Sequence, residues 1–119
     1  MKLLIVDDSE KMRRVIKGFI VDLADQCYEC GDGAQAVSAY ARYRPDWVFM
    51  DIKMRDMDGL EATRKIVSAF PGARVVIVTS YDDAELREEA LESGACDYVL
   101  KDNLFELRSI LIRGARAGC

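Results

Sequence analysis

The sequence predicts an α/β protein built on a five-stranded parallel sheet wound with helices on both faces. Two observations predict it. Short apolar runs alternate with amphipathic stretches five times along the chain, the pattern of a parallel sheet with covering helices. The runs are also nearly continuous in apolar residues, as strands buried on both faces are. At 119 residues, half of them apolar, the chain suits a single domain over residues 1–119 with one sizeable core.

The elements follow in order. Lys2 to Asp7 reads as the first strand. Met12, Val15, Ile16, Phe19, Ile20 and Leu23 then repeat with the period of an amphipathic helix. A weaker strand is expected around Cys27 to Cys30, closed by the turn Gly31-Asp32-Gly33. An alanine-rich helix follows over Ala34 to Arg42. Trp47 to Met50, introduced by Pro45, is the third strand. The loop from Asp51 to Asp58 leads into a helix from Gly59 to Phe70. Asp58 and Glu61 have capping-box spacing, and Pro71-Gly72 stops that helix. Arg74 to Thr79 is a β-branched fourth strand. Asp82 and Glu85 again have capping spacing, opening a helix that ends near Gly94. Asp97 to Leu100 is the fifth strand. Asn103 and Glu106 are expected to cap a last helix carrying Leu104, Leu107, Ile110 and Leu111, with Phe105 and Ile112 widening its inner stripe. The tail Arg113 to Cys119 is expected to fray or to open a linker.

Composition removes several function classes. Lys and Arg number 17 against 21 Asp and Glu, a net charge of −4, so there is no basic footprint for nucleic acid. No stretch approaches the ~18 apolar residues of a membrane span, and no signal peptide precedes the first strand. A cytoplasmic location is the expectation. Cys27 and Cys30 form a C-x-x-C, but on a strand that spacing points the two thiols to opposite faces. They are expected to be small reduced hydrophobes rather than a redox or zinc pair.

Ligands of open α/β sheets bind beyond the carboxyl ends of the strands. The first strand ends in Asp7-Asp8, the third in Asp51, the fourth in Thr79-Ser80, and the fifth leads to Lys101. Three convergent carboxylates repel unless a cation joins them. Their oxygen donors invite a hard divalent ion such as Mg²⁺. Lys101 adds a point charge for an anionic oxygen, and Thr79 a hydroxyl donor. The set is shaped for phosphoryl transfer, in which positioning and charge neutralisation do most of the catalysis. The nucleophile is expected to be a carboxylate, since the chain has no histidine and no thiol at these strand ends. Each residue alone has an ordinary structural reading as a turn, cap or solvated surface group. The joint placement is what points to chemistry.

The segments Leu4-Ile5-Val6-Asp7-Asp8-Ser9, Asp46 to Ile52, Met57-Asp58-Gly59, Val76 to Ser80 and Asp97 to Lys101 together resemble the receiver domains of two-component response regulators, the CheY-like superfamily, over nearly the whole chain. The resemblance implies a flavodoxin-like fold with strand order 2-1-3-4-5. It implies that Asp51 accepts a phosphoryl group from a histidine kinase or phosphotransfer protein. Asp8, Asp51 and the backbone carbonyl of Lys53 would ligate Mg²⁺, with Asp7 acting mostly through a metal-bound water. Thr79 and Lys101 would bind phosphoryl oxygens. Tyr98 would be the switch aromatic, turning inward as Thr79 moves toward the phosphate.

Two departures from the family pattern stand out. Arg55 occupies a place where a proline is frequent. Asp102 follows Lys101 where a cis-proline is frequent; a non-proline cis bond costs roughly 3 kcal/mol, so a trans bond is expected. Lys101-Asp102 resembles receivers joined to helix-turn-helix output domains of the NarL/FixJ type. Lys53 and Tyr81, each two residues past a site residue, are expected to flank the path of an attacking water and slow loss of phosphate.

Competing readings are a haloacid-dehalogenase-like phosphohydrolase, an interaction module that takes no phosphate, and a flavin-binding relative. The first needs an acid two residues after Asp51, where Lys53 stands. The second leaves the five site residues unexplained. The third lacks a phosphate loop after the first strand. No enzymatic turnover is expected beyond self-phosphorylation and slow self-dephosphorylation. A homodimer through the last helix is open, as is ordinary packing of that helix.

Overall fold

Every apolar run becomes a strand, and each strand is followed by a helix. In the computed structural model, residues 1–114 are described; of the tail from Arg113, residues 115–119 lie outside them. The strands are β1 (Lys2–Val6), β2 (Gln26–Cys30), β3 (Trp47–Met50), β4 (Val75–Thr79) and β5 (Asp97–Leu100). The helices are α1 (Glu10–Ile20), α2 (Gly33–Tyr43), α3 (Gly59–Ala69), α4 (Ala84–Glu92) and α5 (Phe105–Arg113). All strand pairs are parallel, in the order β2-β1-β3-β4-β5. This is the flavodoxin-like topology that the family resemblance implies.

Alternate residues of the strands feed two cores, because successive side chains on a strand point to opposite faces. Leu3, Ile5, Trp47, Phe49, Val76, Val78 and Val99 pack beneath α1 and α5. Leu4, Val6, Val48, Met50, Val75, Ile77 and Tyr98 pack beneath α2, α3 and α4. Trp47 is buried at the start of β3, with the Arg74 guanidinium 4.5 Å from its ring centroid. Cys27 joins the first core and Cys30 the second. Both are free thiols, and burial pushes both thiol pKa values up, which makes them less reactive.

Local signals fix the helix starts. Ser9, Asp32, Asp58 and Asp83 each accept a backbone N–H of the first turn, the expected N-cap bond. The acceptor for α4 is thus Asp83 rather than Asp82: its carboxylate takes the N–H groups of both Glu85 and Leu86. Asn103 does not cap α5 either. Lys101–Asn103 forms a 3-10 turn, the cap position falls on Leu104 without a side-chain bond, and Asn103 Nδ2 instead donates to Glu106 Oε2 at 3.1 Å. Phe105 and Ile112 lie outside the inner stripe of α5, at 64% and 70% exposure, and Val15 is exposed on α1. Gly94 ends α4 with φ +106°, as its place after the helix predicts. No cis peptide bond occurs among the described residues, so Lys101–Asp102 is trans as expected. No helix of the described residues is long and apolar enough to cross a membrane.

Candidate functional site

The parallel ladder delivers the acids to one edge of the sheet. Asp7 N–H donates to Cys30 O at 3.1 Å, and Asp51 N–H donates to Val6 O at 2.8 Å. The ladder therefore continues one residue past β1 and β3 and holds both aspartates side by side. The start of α3 closes in behind Asp51. A Cβ on Gly59 would sit 1.8 Å from the Asp51 carbonyl oxygen, so only glycine permits that approach.

Asp7, Asp8 and Asp51 each place a carboxylate oxygen within 4.8 Å of the others. Asp7 is 1% and Asp51 7% exposed, whereas Asp8 is open to solvent. Lys101 reaches in from the end of β5, its Nζ 2.9 Å from Asp7 Oδ2 and 3.3 Å from Asp51 Oδ1. Asp7 Oδ1 accepts the Ser9 N–H, and Asp51 Oδ1 accepts the Ile52 N–H. Asp7 Oδ2 is buried and takes no hydrogen bond of good geometry, although Lys101 faces it as an ion-pair partner.

The charges do not balance. Burial first, and the Asp7 charge second, push the Asp51 pKa from 3.8 up to about 6, with Lys101 acting in the opposite direction. Burial disfavours the Lys101 ammonium, but its close approach to Asp7 and the two carboxylate charges outweigh that and raise its pKa. Three carboxylates against one ammonium leave room for a dication. The all-oxygen donor set of Asp7, Asp8 and Asp51 fits a hard divalent cation such as Mg²⁺.

Thr79 ends β4 fully buried, and its hydroxyl accepts the Tyr81 N–H at 3.2 Å rather than touching the carboxylates. Lys53 stands two residues past Asp51 on an exposed loop, its Nζ 5.8 Å from the Tyr81 ring centroid. Tyr98 is already inward. Its ring is buried, its hydroxyl donates to Tyr81 O at 2.5 Å, and the Arg87 guanidinium of α4 lies 4.6 Å from its centroid. The structure thus brings Asp7, Asp8, Asp51 and Lys101 into one cluster and leaves Thr79 beside it. Three participants escape a reading of the sequence: Arg13, which donates to the Asp7 carbonyl, its partner Glu29, and Arg87.

An acid pocket at the carboxyl edge of a doubly wound sheet, with one lysine inside it, defines a class of aspartate-centred α/β proteins. The family model of the response regulator receiver domain matches residues 3–111, and the chain belongs to that family. It is 37% identical over 100 residues to the chemotaxis protein CheY of Halobacterium salinarum, covering 84% of this chain and 83% of that one. It is 36% identical over 104 residues to the transcriptional regulatory protein YhcZ of Bacillus subtilis, covering 86% of this chain but 49% of that protein. The chain therefore spans most of one curated relative and about half of the other. Among solved structures, the response regulator domain of Thermotoga maritima CheB superposes with a TM-score of 0.85 at 30% identity, covering 95% of this chain and 94% of that one.

Proposed function

We propose that this chain is the phosphorylatable switch of a two-component system, with Asp51 as the phosphoacceptor. The observation that carries the reading is the buried Asp51 carboxylate beside Asp7 and within reach of the Lys101 ammonium. A carboxylate with a pKa near 6 is ionised at neutral pH and available as a nucleophile. One Asp51 oxygen attacks the phosphorus of a phosphohistidine or small phosphodonor. The bond from phosphorus to the donor breaks, and the donor group leaves. Lys101 balances charge on the incoming phosphoryl oxygens, and Thr79 supplies a hydroxyl donor to another.

Asp8, Asp51 and the Lys53 carbonyl would hold Mg²⁺, with Asp7 behind them. When bound, the ion neutralises charge between the carboxylates and the phosphoryl oxygens. The reaction is stoichiometric, so the protein is a signalling switch rather than an enzyme acting on other molecules. Lys53 and Tyr81 shield the product from water. Replacing both with alanine is expected to speed loss of phosphate, and an unchanged rate would refute the shielding.

The partner is a histidine kinase or phosphotransfer protein in the cytoplasm, and this segment binds neither nucleic acid nor membrane. Phe105 and Ile112, seven residues apart on one exposed face of α5, offer contact to a second copy. Size-exclusion chromatography with and without beryllofluoride tests that contact. A second reading is the receiver of a transcription regulator: the chain matches 49% of the transcriptional regulatory protein YhcZ, whereas its match to 83% of CheY fits a stand-alone receiver.

Intact mass after incubation with Mg²⁺ and acetyl phosphate tests the central claim. A single phosphoryl adduct that needs Mg²⁺ and is absent in Asp51→Asn is expected. Absence of any adduct under all conditions would return the chain to the interaction-module reading.

A further inference from the structure

Arg13 lies on α1, yet its side chain folds back over the end of β1 and is only 18% exposed. Nη1 donates to the Asp7 carbonyl oxygen at 2.7 Å, and Nε donates to Glu29 Oε1 at 3.0 Å. We propose that Arg13, steadied by Glu29, is a positioning residue that aims Asp8 into the cation site by fixing the peptide plane between Asp7 and Asp8.

The argument follows from the planarity of the peptide. The Asp7 carbonyl and the Asp8 N–H belong to one rigid plane, so a bond that fixes the carbonyl also fixes where the Asp8 Cα departs. Asp7 N–H is already held by Cys30 O. With Arg13 on its carbonyl, Asp7 is anchored on both sides. The Asp7 carboxylate has supports of its own in Ser9 N–H and Lys101. The Asp8 carboxylate has no hydrogen bond or ion pair among the described residues, so its aim is inherited from the backbone.

The planar fork of arginine serves two acceptors at once, which a lysine ammonium on a flexible stem does less well. Glu29 is placed for its part by the β1–β2 register, opposite Ile5. Its second oxygen faces Lys17 Nζ at 3.7 Å.

Charge alone predicts the opposite behaviour. A guanidinium near three carboxylates repels a dication, so removing it would tighten cation binding if Arg13 acted only through its charge. Positioning predicts that removal weakens binding. The sign of the effect separates the two.

This inference rests on the Mg²⁺ reading above, and its test distinguishes the two. Isothermal titration of the full chain with Mg²⁺, without phosphodonor, is compared for wild type, Arg13→Gln, Arg13→Lys, Glu29→Gln and Arg14→Gln. The expected result is a dissociation constant raised about tenfold in Arg13→Gln, the usual scale for groups that orient metal ligands. A smaller rise is expected in Glu29→Gln, with incomplete rescue by Arg13→Lys. Arg14 is 75% exposed and pairs with Glu10; Arg14→Gln makes the same charge change away from the loop and is expected to leave the constant unchanged. Amide exchange at Asp8 in metal-free protein is expected to quicken in Arg13→Gln. An unchanged or tighter constant in a folded Arg13→Gln overturns the proposal. If that variant does not fold, unchanged constants in both Arg13→Lys and Glu29→Gln overturn it equally. Absence of saturable Mg²⁺ binding in the wild type would instead overturn the cation reading, and this inference with it.

Discussion

Helices α3 and α4 occupy equivalent places, each following a strand that ends in a site residue, yet they are held very differently. α3 buries Gly59, Leu60, Ala62, Thr63 and Ile66. Its first residue lies against the Asp51 carbonyl, and Thr63 Oγ1 donates to Gly59 O at 2.7 Å. α4 buries only Ala90, and its remaining residues are exposed or half-buried. Its links to the site are the Arg87 guanidinium on the Tyr98 ring and the Tyr98 hydroxyl on the Tyr81 carbonyl. One helix is built as a fixed wall behind Asp51. The other rests on buried Ala90, half-buried Leu86 and the polar contacts made through Arg87 and Tyr98. An element with few buried side chains has low local stability.

Four substitutions break or sharpen this contrast. Ile66→Ala, at a fully buried position of α3, is expected to cost about 4 kcal/mol in urea denaturation, by lost burial and a residual cavity. A cost below about 1 kcal/mol would mean that α3 is no wall.

Asp51→Asn comes next. A carboxyl whose folded pKa is raised from 3.8 to about 6 binds its proton more tightly in the native state. The stability this gives is fully present below pH 3.8 and is lost as pH rises through about 6. Ionising Asp51 therefore costs the metal-free fold about 3 kcal/mol at neutral pH. Asn removes that charge, so the variant is expected to match wild type near pH 4 and to exceed it by up to that amount at pH 7.5, with added Mg²⁺ narrowing the gap. A pH-independent difference would refute it.

Tyr98→Phe removes one half-buried hydrogen bond to the β4–α4 connection and is expected to cost about 1 kcal/mol, with faster amide exchange in α4 but not in α3. Equal acceleration in both helices would erase the contrast. The smallest effect belongs to Leu91→Ala, on the exposed side of α4, expected to stay within about 0.5 kcal/mol of wild type by thermal melting.

Strand and helix positions and the meeting of Asp7, Asp8, Asp51 and Lys101 were legible because each depends on chain-local signals placed by a repeated βα unit; the strand order came from the family resemblance, since no local signal says which strand lies beside which. Apolar runs give the strands, and the residue after each run falls at the same sheet edge. The misses arise where two local signals compete or where contact depends on register. Asp82 and Asp83 both precede α4 at workable cap distances, and only the backbone conformation chooses Asp83. Asn103 has cap spacing, but the 3-10 turn from Lys101 takes up those residues first. Phe105 and Ile112 fit a wide apolar stripe, and only the position of the sheet shows that they face outward. Arg13 and Glu29 are sixteen residues apart, and nothing in either segment alone announces their meeting. It follows from pairing β2 beside β1 in the register Ile5 to Glu29.

The buried Trp47 under Arg74 has a spectroscopic consequence. It is the chain's one tryptophan, and it begins the strand that Asp51 follows, about 13 Å away at 3.3 Å per residue. Its emission reports the integrity of the sheet from the end opposite the acid pocket. The protein therefore carries a fluorophore for unfolding that chemistry at Asp51 scarcely touches, so a change in emission on adding a phosphodonor would signal a rearrangement reaching through the whole of β3.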